Sequence, residues 1–209
     1  MKADVYPLRS THNMKMIIFL SMFIITLVIL PVEVLAGTHM RYNYVGADLC
    51  KLCHKKKELG DQYDVWANTS HSKAFYTLGT PEARKVADKL GIKDPQQSDK
   101  CLRCHSTSHA FTEENVAEDL QIEDGVQCES CHGPGEEYMY PEVMEDLKEA
   151  ETLGLIIPTE ETCRKCHNPE SPTWDPERDT TPDGKKVGFH FPLRWKMIEH
   201  HKPLKETKK

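Results

Sequence analysis

The stretch GVQCESCHGPG, residues 125–135, holds two cysteines separated by two residues and a histidine directly after the second cysteine. The same pattern, Cys-x-x-Cys-His, occurs four times in the 209 residues and uses all 8 cysteines of the chain. The four copies are Cys50–His54, Cys101–His105, Cys128–His132 and Cys163–His167. A pattern that uses every cysteine indicates one chemistry that needs two thiols and an adjacent imidazole.

Cys-x-x-Cys-His is the attachment site of c-type haem. Two thiols add to the vinyl groups on one edge of the porphyrin, and a single turn of chain presents both of them. The next residue then supplies the proximal imidazole to the iron. We therefore predict four covalently bound haems, each with its iron, attached through Cys50, Cys53, Cys101, Cys104, Cys128, Cys131, Cys163 and Cys166 with proximal ligands His54, His105, His132 and His167. The alternatives are a zinc ribbon, which does not require these histidines, and the disulfides of an exported protein.

The N-terminal segment predicts a secretory signal peptide. A basic start precedes the apolar run Met16–Leu30, and Val34 and Ala36 occupy the small-residue positions of a cleavage site. An uncleaved membrane anchor is the alternative, but the run is shorter than the roughly 20 residues of a spanning helix. We expect residues 1–36 to be the signal peptide and residues 37–209 to be the tetrahaem domain. The protein is then periplasmic or extracellular.

Composition and turn signals predict a fold that is mainly α with extensive irregular loops. The net charge of −6 argues against nucleic acid as a partner, and the 13 prolines and 11 glycines interrupt the chain often. Helices are expected after the N-cap Thr80, between Pro141 and Gly154, and after the N-cap Thr159. No stretch alternates as a strand does. The aliphatic content is thin, so we expect one domain organised around four haems.

The histidines outside the motifs are candidates for the sixth iron position. His71 lies in a stretch with apolar residues at helical spacing, so an imidazole on that helix would meet a haem face. At the C-terminus, His200 or His201 follows a short helix that Pro192 begins. Three further candidates are weaker: His190, His109 and His39. Met139 is an alternative axial ligand, although a packing role is the simpler interpretation.

Five segments resemble one family. The segments GADLCKLCH, SHSKAF, GVQCESCHGPG, CRKCHNPESP and IEHH are similar to those of tetrahaem c-type cytochromes of the cytochrome c554 family. The resemblance covers residues 44–202 and implies electron transfer through closely packed haems, with His71 and His200 as distal ligands. Many relatives carry a further distal histidine soon after CHGPG, which this chain lacks. In the family the second-motif haem can be five-coordinate, so His105 marks the expected open iron.

Three functions fit these features. The first is an electron carrier between redox partner proteins: a dehydrogenase or quinol-oxidising donor, and a reductase or extracellular acceptor. The second is an enzyme that reduces a small nitrogen oxide or peroxide at a five-coordinate haem, so whether the chain is an enzyme stays open. The third is self-association into a haem filament, with His39 ligating the next subunit. The acidic cluster Glu136–Glu151 and the C-terminal lysines are either solvated faces or surfaces that steer a charged partner.

Overall fold

Proline, glycine and short polar side chains interrupt the chain every few residues, so its helices are short. The computed structural model describes residues 42–110 and 120–200, within the compact unit Arg41–Lys209. In chain order the α-helices are Ala47–His54 (α1), Gln62–Ala67 (α2), Ala74–Thr77 (α3), Pro81–Lys89 (α4), Asp99–His105 (α5), Thr107–Ala110 (α6), Glu129–His132 (α7), Pro141–Met144 (α8), Leu147–Thr152 (α9), Glu160–Arg164 (α10) and Phe191–Trp195 (α11). Single 3-10 turns lie at Lys57–Leu59, Pro95–Gln97 and Ile122–Asp124. The prediction of a mainly helical fold with irregular loops is confirmed.

One small hairpin lies in the loop that the sequence left without any strand. Strand β1 (Asp179–Thr180) pairs antiparallel with β2 (Lys186–Val187). Gly184 adopts φ +86° in the turn, a conformation that glycine enters at little cost. The strands are too short for hydrophobic alternation to reveal them, but the Pro-Asp-Gly sequence before β2 is a turn signal.

The helix starts follow the capping signals. The Thr80 side chain accepts a hydrogen bond from the Ala83 N–H at the start of α4, and Thr159 forms a capping box with Thr162 at the start of α10. The single helix expected between Pro141 and Gly154 is wrong. The chain forms α8 and α9 instead, because the Asp146 side chain accepts from the N–H groups that begin α9.

The helix expected to carry His71 is also interrupted. His71 lies in a bend between α2 and α3. The Thr69 hydroxyl donates to the Trp66 carbonyl, and the Ser72 hydroxyl donates to the Ala67 carbonyl. Such local side-chain bonds compete with helical hydrogen bonding and end α2 before His71.

The packed apolar core is small. Tyr138, Val143 and Ala150 form one buried cluster around α8 and α9. The largest fully buried side chains among the described residues are polar: Gln127, Glu129, Thr107 and Ser106. No helix in the described ranges is long and apolar enough to cross a membrane. The predicted signal peptide lies outside the described residues and stays a prediction.

Candidate functional site

Each motif is built on a short helix or a helical turn. The first three end with their histidine as the last residue of α1, α5 or α7, and the fourth begins in α10 and continues in a turn. A helical turn brings both thiols of a Cys-x-x-Cys pair to neighbouring positions. All eight cysteines lie in described residues and none forms a disulfide. A zinc site would bring three or more His, Cys, Asp or Glu side chains together around the ion. No such group is present among those residues.

The thiols of different motifs approach one another in a definite order. A hydrogen bond between Cys50 and Cys128 raises the pKa of the first thiol and lowers that of the second. A hydrogen bond between Cys104 and Cys166 likewise lowers the pKa of Cys104 and raises the pKa of Cys166. Motif one therefore lies beside motif three, and motif two beside motif four.

The third and fourth motifs are also neighbours. Burial, and then the nearby Cys163 thiol, raise the pKa of Cys131 to about 11. Because these two cysteines belong to motifs three and four, the four motifs follow the spatial order one, three, four, two. A cofactor at any motif thus has a neighbour at the next.

Hydrogen bonds to oxygen atoms orient three of the four motif histidines. The Nδ1 atom of His54 lies 3.2 Å from Gln62 Oε1, that of His105 lies 2.8 Å from the Ala74 carbonyl, and that of His132 lies 3.1 Å from the Ile156 carbonyl. A partner on Nδ1 fixes the tautomer and leaves the lone pair of Nε2 available to a metal ion. These histidines thus have the arrangement that axial imidazoles need.

Two pairs of imidazole rings lie close to each other. The ring centroids of His71 and His167 are 6.1 Å apart and the ring planes are 59° apart. The centroids of His132 and His200 are 6.0 Å apart, with planes 55° apart. Within residues 42–110 and 120–200, no imidazole faces His54 or His105 in this way.

Burial favours the neutral form of three of these imidazoles, those of His71, His132 and His167. It is the first cause that lowers the pKa values of His71 and His132. For His167, burial, His71 and nearby arginines lower the pKa to about 4. A neutral imidazole keeps a lone pair for a metal ion, which is the protonation state that ligation requires.

The stretch 125–135 holds His71 through the backbone. The Val126 N–H donates to the His71 carbonyl at 3.0 Å, and the Val126 carbonyl accepts from Trp66 Nε1 at 2.8 Å. Gly125 has φ +68°, and a Cβ there would lie 2.7 Å from the His71 carbonyl oxygen. Only glycine therefore allows this close approach between the third motif and the bend that carries His71.

The same stretch holds the start of the first motif helix. Glu129, 1% exposed, accepts hydrogen bonds from the N–H groups of Gly46 at 2.7 Å and Gly135 at 2.6 Å, and also from Val45. Gln127 Oε1 accepts from the Ala47 N–H at 2.7 Å. We call Gln127 and Glu129 the buried clamp. Because α1 begins at Ala47, the buried clamp fixes motif one against motif three.

The other candidate residues lie elsewhere. His109 Nε2 lies 3.0 Å from Asp99 Oδ1, so this nitrogen already has a polar partner. His190 is the N-cap residue of α11, and its N–H donates to Asp179. His39 and His201 lie outside the described residues. Tyr138, next to Met139, is buried and donates its hydroxyl to the Gly133 carbonyl.

A cavity of about 260 Å³ adjoins the second motif. Its walls include His105 and the apolar face of α4, on which lie Ala83, Val86 and Ala87. Cys104 of the second motif and Cys166 of the fourth also line it. Among its lining residues only His105 is a histidine, and none is a methionine.

Sequence reasoning missed the surroundings of His167. The Phe189 ring stacks on the His167 ring, and the Arg164 guanidinium lies over the Phe189 ring. Phe189 is more than 20 residues from Arg164 and His167 in sequence, and no local pattern marks it. Gln127 and Glu129 lie within residues 125–135, but no feature of the sequence there marks them as buried.

Comparison with known proteins agrees with this geometry. Residues 49–133 match the family model described as cytochrome c554 and c-prime. Cytochrome c-554 of Nitrosomonas europaea is 30% identical over 188 residues, which covers 76% of this chain and 76% of the relative. No solved structure matches the chain. The identity and the coverage together show that the chain belongs to the cytochrome c554 family and is a c-type cytochrome.

Proposed function

We propose that this protein is an exported tetrahaem cytochrome that carries single electrons between redox partner proteins. Membership of the family makes it a c-type electron carrier with covalent haem. The proposal adds the number of haems, one at each Cys-x-x-Cys-His motif, and the proximal ligands His54, His105, His132 and His167. It also adds two distal ligands, His71 for the fourth-motif haem and His200 for the third-motif haem.

The spacing of the imidazole pairs carries the proposal. Two metal–nitrogen bonds of about 2 Å each, with a ring centroid about 1 Å behind each nitrogen, separate the centroids of a ligand pair by about 6 Å. The pairs His71–His167 and His132–His200 have centroids 6.1 and 6.0 Å apart. Both separations match this value, so each pair has the spacing of two axial ligands on opposite sides of one iron atom.

The chain's own groups hold the cofactors in a fixed series. When bound, haem iron supplies the one-electron ferric–ferrous couple. The neighbouring thiols of Cys50 and Cys128, and of Cys104 and Cys166, support an order of one, three, four, two along the molecule. The buried clamp keeps motifs one and three together. Fixed separations favour electron transfer because no rearrangement is needed between steps.

Export follows from the predicted signal peptide, with a periplasmic or extracellular location after cleavage at Ala36. N-terminal sequencing of the protein from the exported fraction should begin at Gly37. The partners are two redox proteins, one that donates electrons to the haems and one that accepts electrons from them. Recovery only with an intact N-terminus in membranes would favour the anchor instead.

Mass spectrometry and electron paramagnetic resonance test the central assignment. The purified protein should carry four covalently added haems. His71→Ala and His200→Ala should each remove one low-spin ferric signal and add one high-spin signal, because each loses one axial ligand. His109→Ala is the matched control and should leave the spectrum unchanged. Fewer than four haems, or unchanged spectra in both ligand variants, would contradict the assignment.

The cavity beside His105 favours a second candidate function for this protein, the binding of a small ligand at the second-motif haem. His105 would hold the haem iron here, and the cavity beside it is lined in part by the apolar side chains of Val86 and Ala87. Such a position accepts a small uncharged ligand such as nitric oxide. A high-spin signal in the wild-type protein that shifts when nitric oxide is added would support it, and entirely low-spin spectra would exclude it.

A further inference from the structure

The fourth-motif histidine is oriented differently from the other three. Within the described residues, no hydrogen bond reaches either ring nitrogen of His167, whereas His54, His105 and His132 each have an oxygen partner on Nδ1. The Phe189 ring instead stacks on the His167 ring, with centroids 5.3 Å apart and planes only 18° apart. An aromatic face therefore takes the orienting role that an oxygen atom has elsewhere.

Phe189 is itself held firmly. It is 7% exposed. The Arg164 guanidinium carbon lies 4.8 Å from the centre of the Phe189 ring, and its Nη2 donates to the Phe189 carbonyl at 3.2 Å. Glu160 accepts from Arg164 Nε at 3.1 Å and from Nη2 at 2.8 Å. The preceding residue, Gly188, lies against the Trp174 ring so closely that an added Cβ would overlap it.

We propose that Phe189 is the positioning residue of the fourth-motif haem: it sets the rotation of the His167 imidazole, while Arg164 behind it supplies a fixed positive charge. The proposal rests on the proposed function, since it takes His167 and His71 as the two axial ligands. It concerns the orientation of the His167 ring and the reduction potential of the fourth-motif haem. Both can differ from the proposal even if all four haems are present.

Two consequences follow from this arrangement. The g anisotropy of a low-spin ferric haem depends on the angle between its two axial imidazole planes, which is 59° for His71 and His167. A ligand without an Nδ1–H···O bond is also a weaker donor, because the second-shell oxygen raises imidazole basicity. A weaker donor and a nearby cation both favour ferrous over ferric iron and raise the reduction potential.

The other charges around His167 do not reverse this sign. Arg178 and Arg194 also act on His167. Arg194 is paired with the buried carboxylate of Asp179, so its charge is largely balanced. Glu160 balances part of the Arg164 charge, but it is 49% exposed and thus well screened by water. The net field at His167 is positive.

The test uses the full holoprotein and follows one haem. The low-spin signal that disappears in His71→Ala identifies the fourth-motif haem. Phe189→Leu should shift the g values of that signal and leave the other signals unchanged. Phe191→Leu, the same substitution two residues away, should leave every signal unchanged because Phe191 packs on Trp195. Phe189→Tyr keeps an aromatic face and should restore the wild-type g values.

Redox titration followed by the same signal tests the charge. Arg164→Gln should lower the midpoint potential of the fourth-motif haem, and Arg84→Gln, an equal charge change on exposed α4, should not. Unchanged g values in Phe189→Leu, or an unchanged midpoint in Arg164→Gln, would overturn the proposal. If Phe189→Leu yields no holoprotein, the Arg164→Gln midpoint decides. A wild-type mass without four haems would instead sink the proposed function.

Discussion

Removing the Glu129 carboxylate should destabilise the protein through unsatisfied backbone groups rather than through lost apolar packing. Glu129→Ala removes the acceptor of the Gly46 and Gly135 N–H groups, both in buried hydrogen bonds, and of the half-buried Val45 N–H. A buried donor without a partner costs about 1–3 kcal/mol, so the two buried donors cost about 2–6 kcal/mol. That is a large share of the roughly 5–15 kcal/mol that stabilises a typical domain.

Glu129→Gln keeps the shape of the side chain and changes only its hydrogen-bonding groups. The amide keeps one oxygen, so one donor keeps its acceptor while the other meets an NH₂ group, which should cost about 1–3 kcal/mol. Urea unfolding of the holoproteins at pH 7, followed by the Soret band and by tryptophan fluorescence, measures both variants. The exposed Glu137→Ala is the control and should change stability by less than about 0.5 kcal/mol. Equal midpoints for Glu129→Ala and Glu137→Ala would refute the reasoning.

Two further predictions concern the groups around His167 and His71. Arg194 is the first cause that lowers the pKa of buried Asp179, so the carboxylate's stabilisation is present above its ordinary pKa and is lost as pH falls through the lower folded value. Asp179→Asn should therefore lower the free energy of unfolding by about 3–5 kcal/mol at pH 7. When the urea midpoint is plotted against pH, the variant should also lose less stability than the wild type as the solution becomes acidic. An equal loss in both proteins would contradict this. Gly125→Ala should displace His71 and convert one low-spin signal to high spin, whereas Gly91→Ala, at φ +66° with no atom near an added Cβ, should not. A wild-type spectrum for Gly125→Ala would show that the close contact between residue 125 and the His71 carbonyl does not fix the position of His71.

The cysteine spacing and the capping residues made much of this structure predictable. The two thiols of each Cys-x-x-Cys-His motif are three residues apart and need only one helical turn, so a local pattern specifies each motif. The start of α4 was predictable from Thr80 and Pro81 for the same reason, since capping involves residues within one turn. The interrupted helix at His71 was not, because Thr69 and Ser72 could equally have faced solvent on a continuous helix.

The imidazole pairing was beyond local reasoning. His71 and His167 are far apart in sequence, and nothing near either residue states which motif it faces. The family resemblance named His71 and His200 as distal ligands, but it did not say which iron each one serves. The pairing depends on contacts such as that between Val126 and the His71 carbonyl, which only a folded chain reveals.

The polar character of the most deeply buried side chains explains how so small an apolar core can specify one structure. Hydrophobic contacts tolerate sliding, since many packings bury similar areas. A buried carboxylate or amide has few acceptable geometries, because any displacement leaves a donor or an acceptor without a partner. Gln127 and Glu129 meet backbone N–H groups at the start of α1 at distances of 2.7 Å. Motif one therefore has one favourable position against motif three, and a carrier that transfers electrons between fixed cofactors needs that restriction more than it needs added stability.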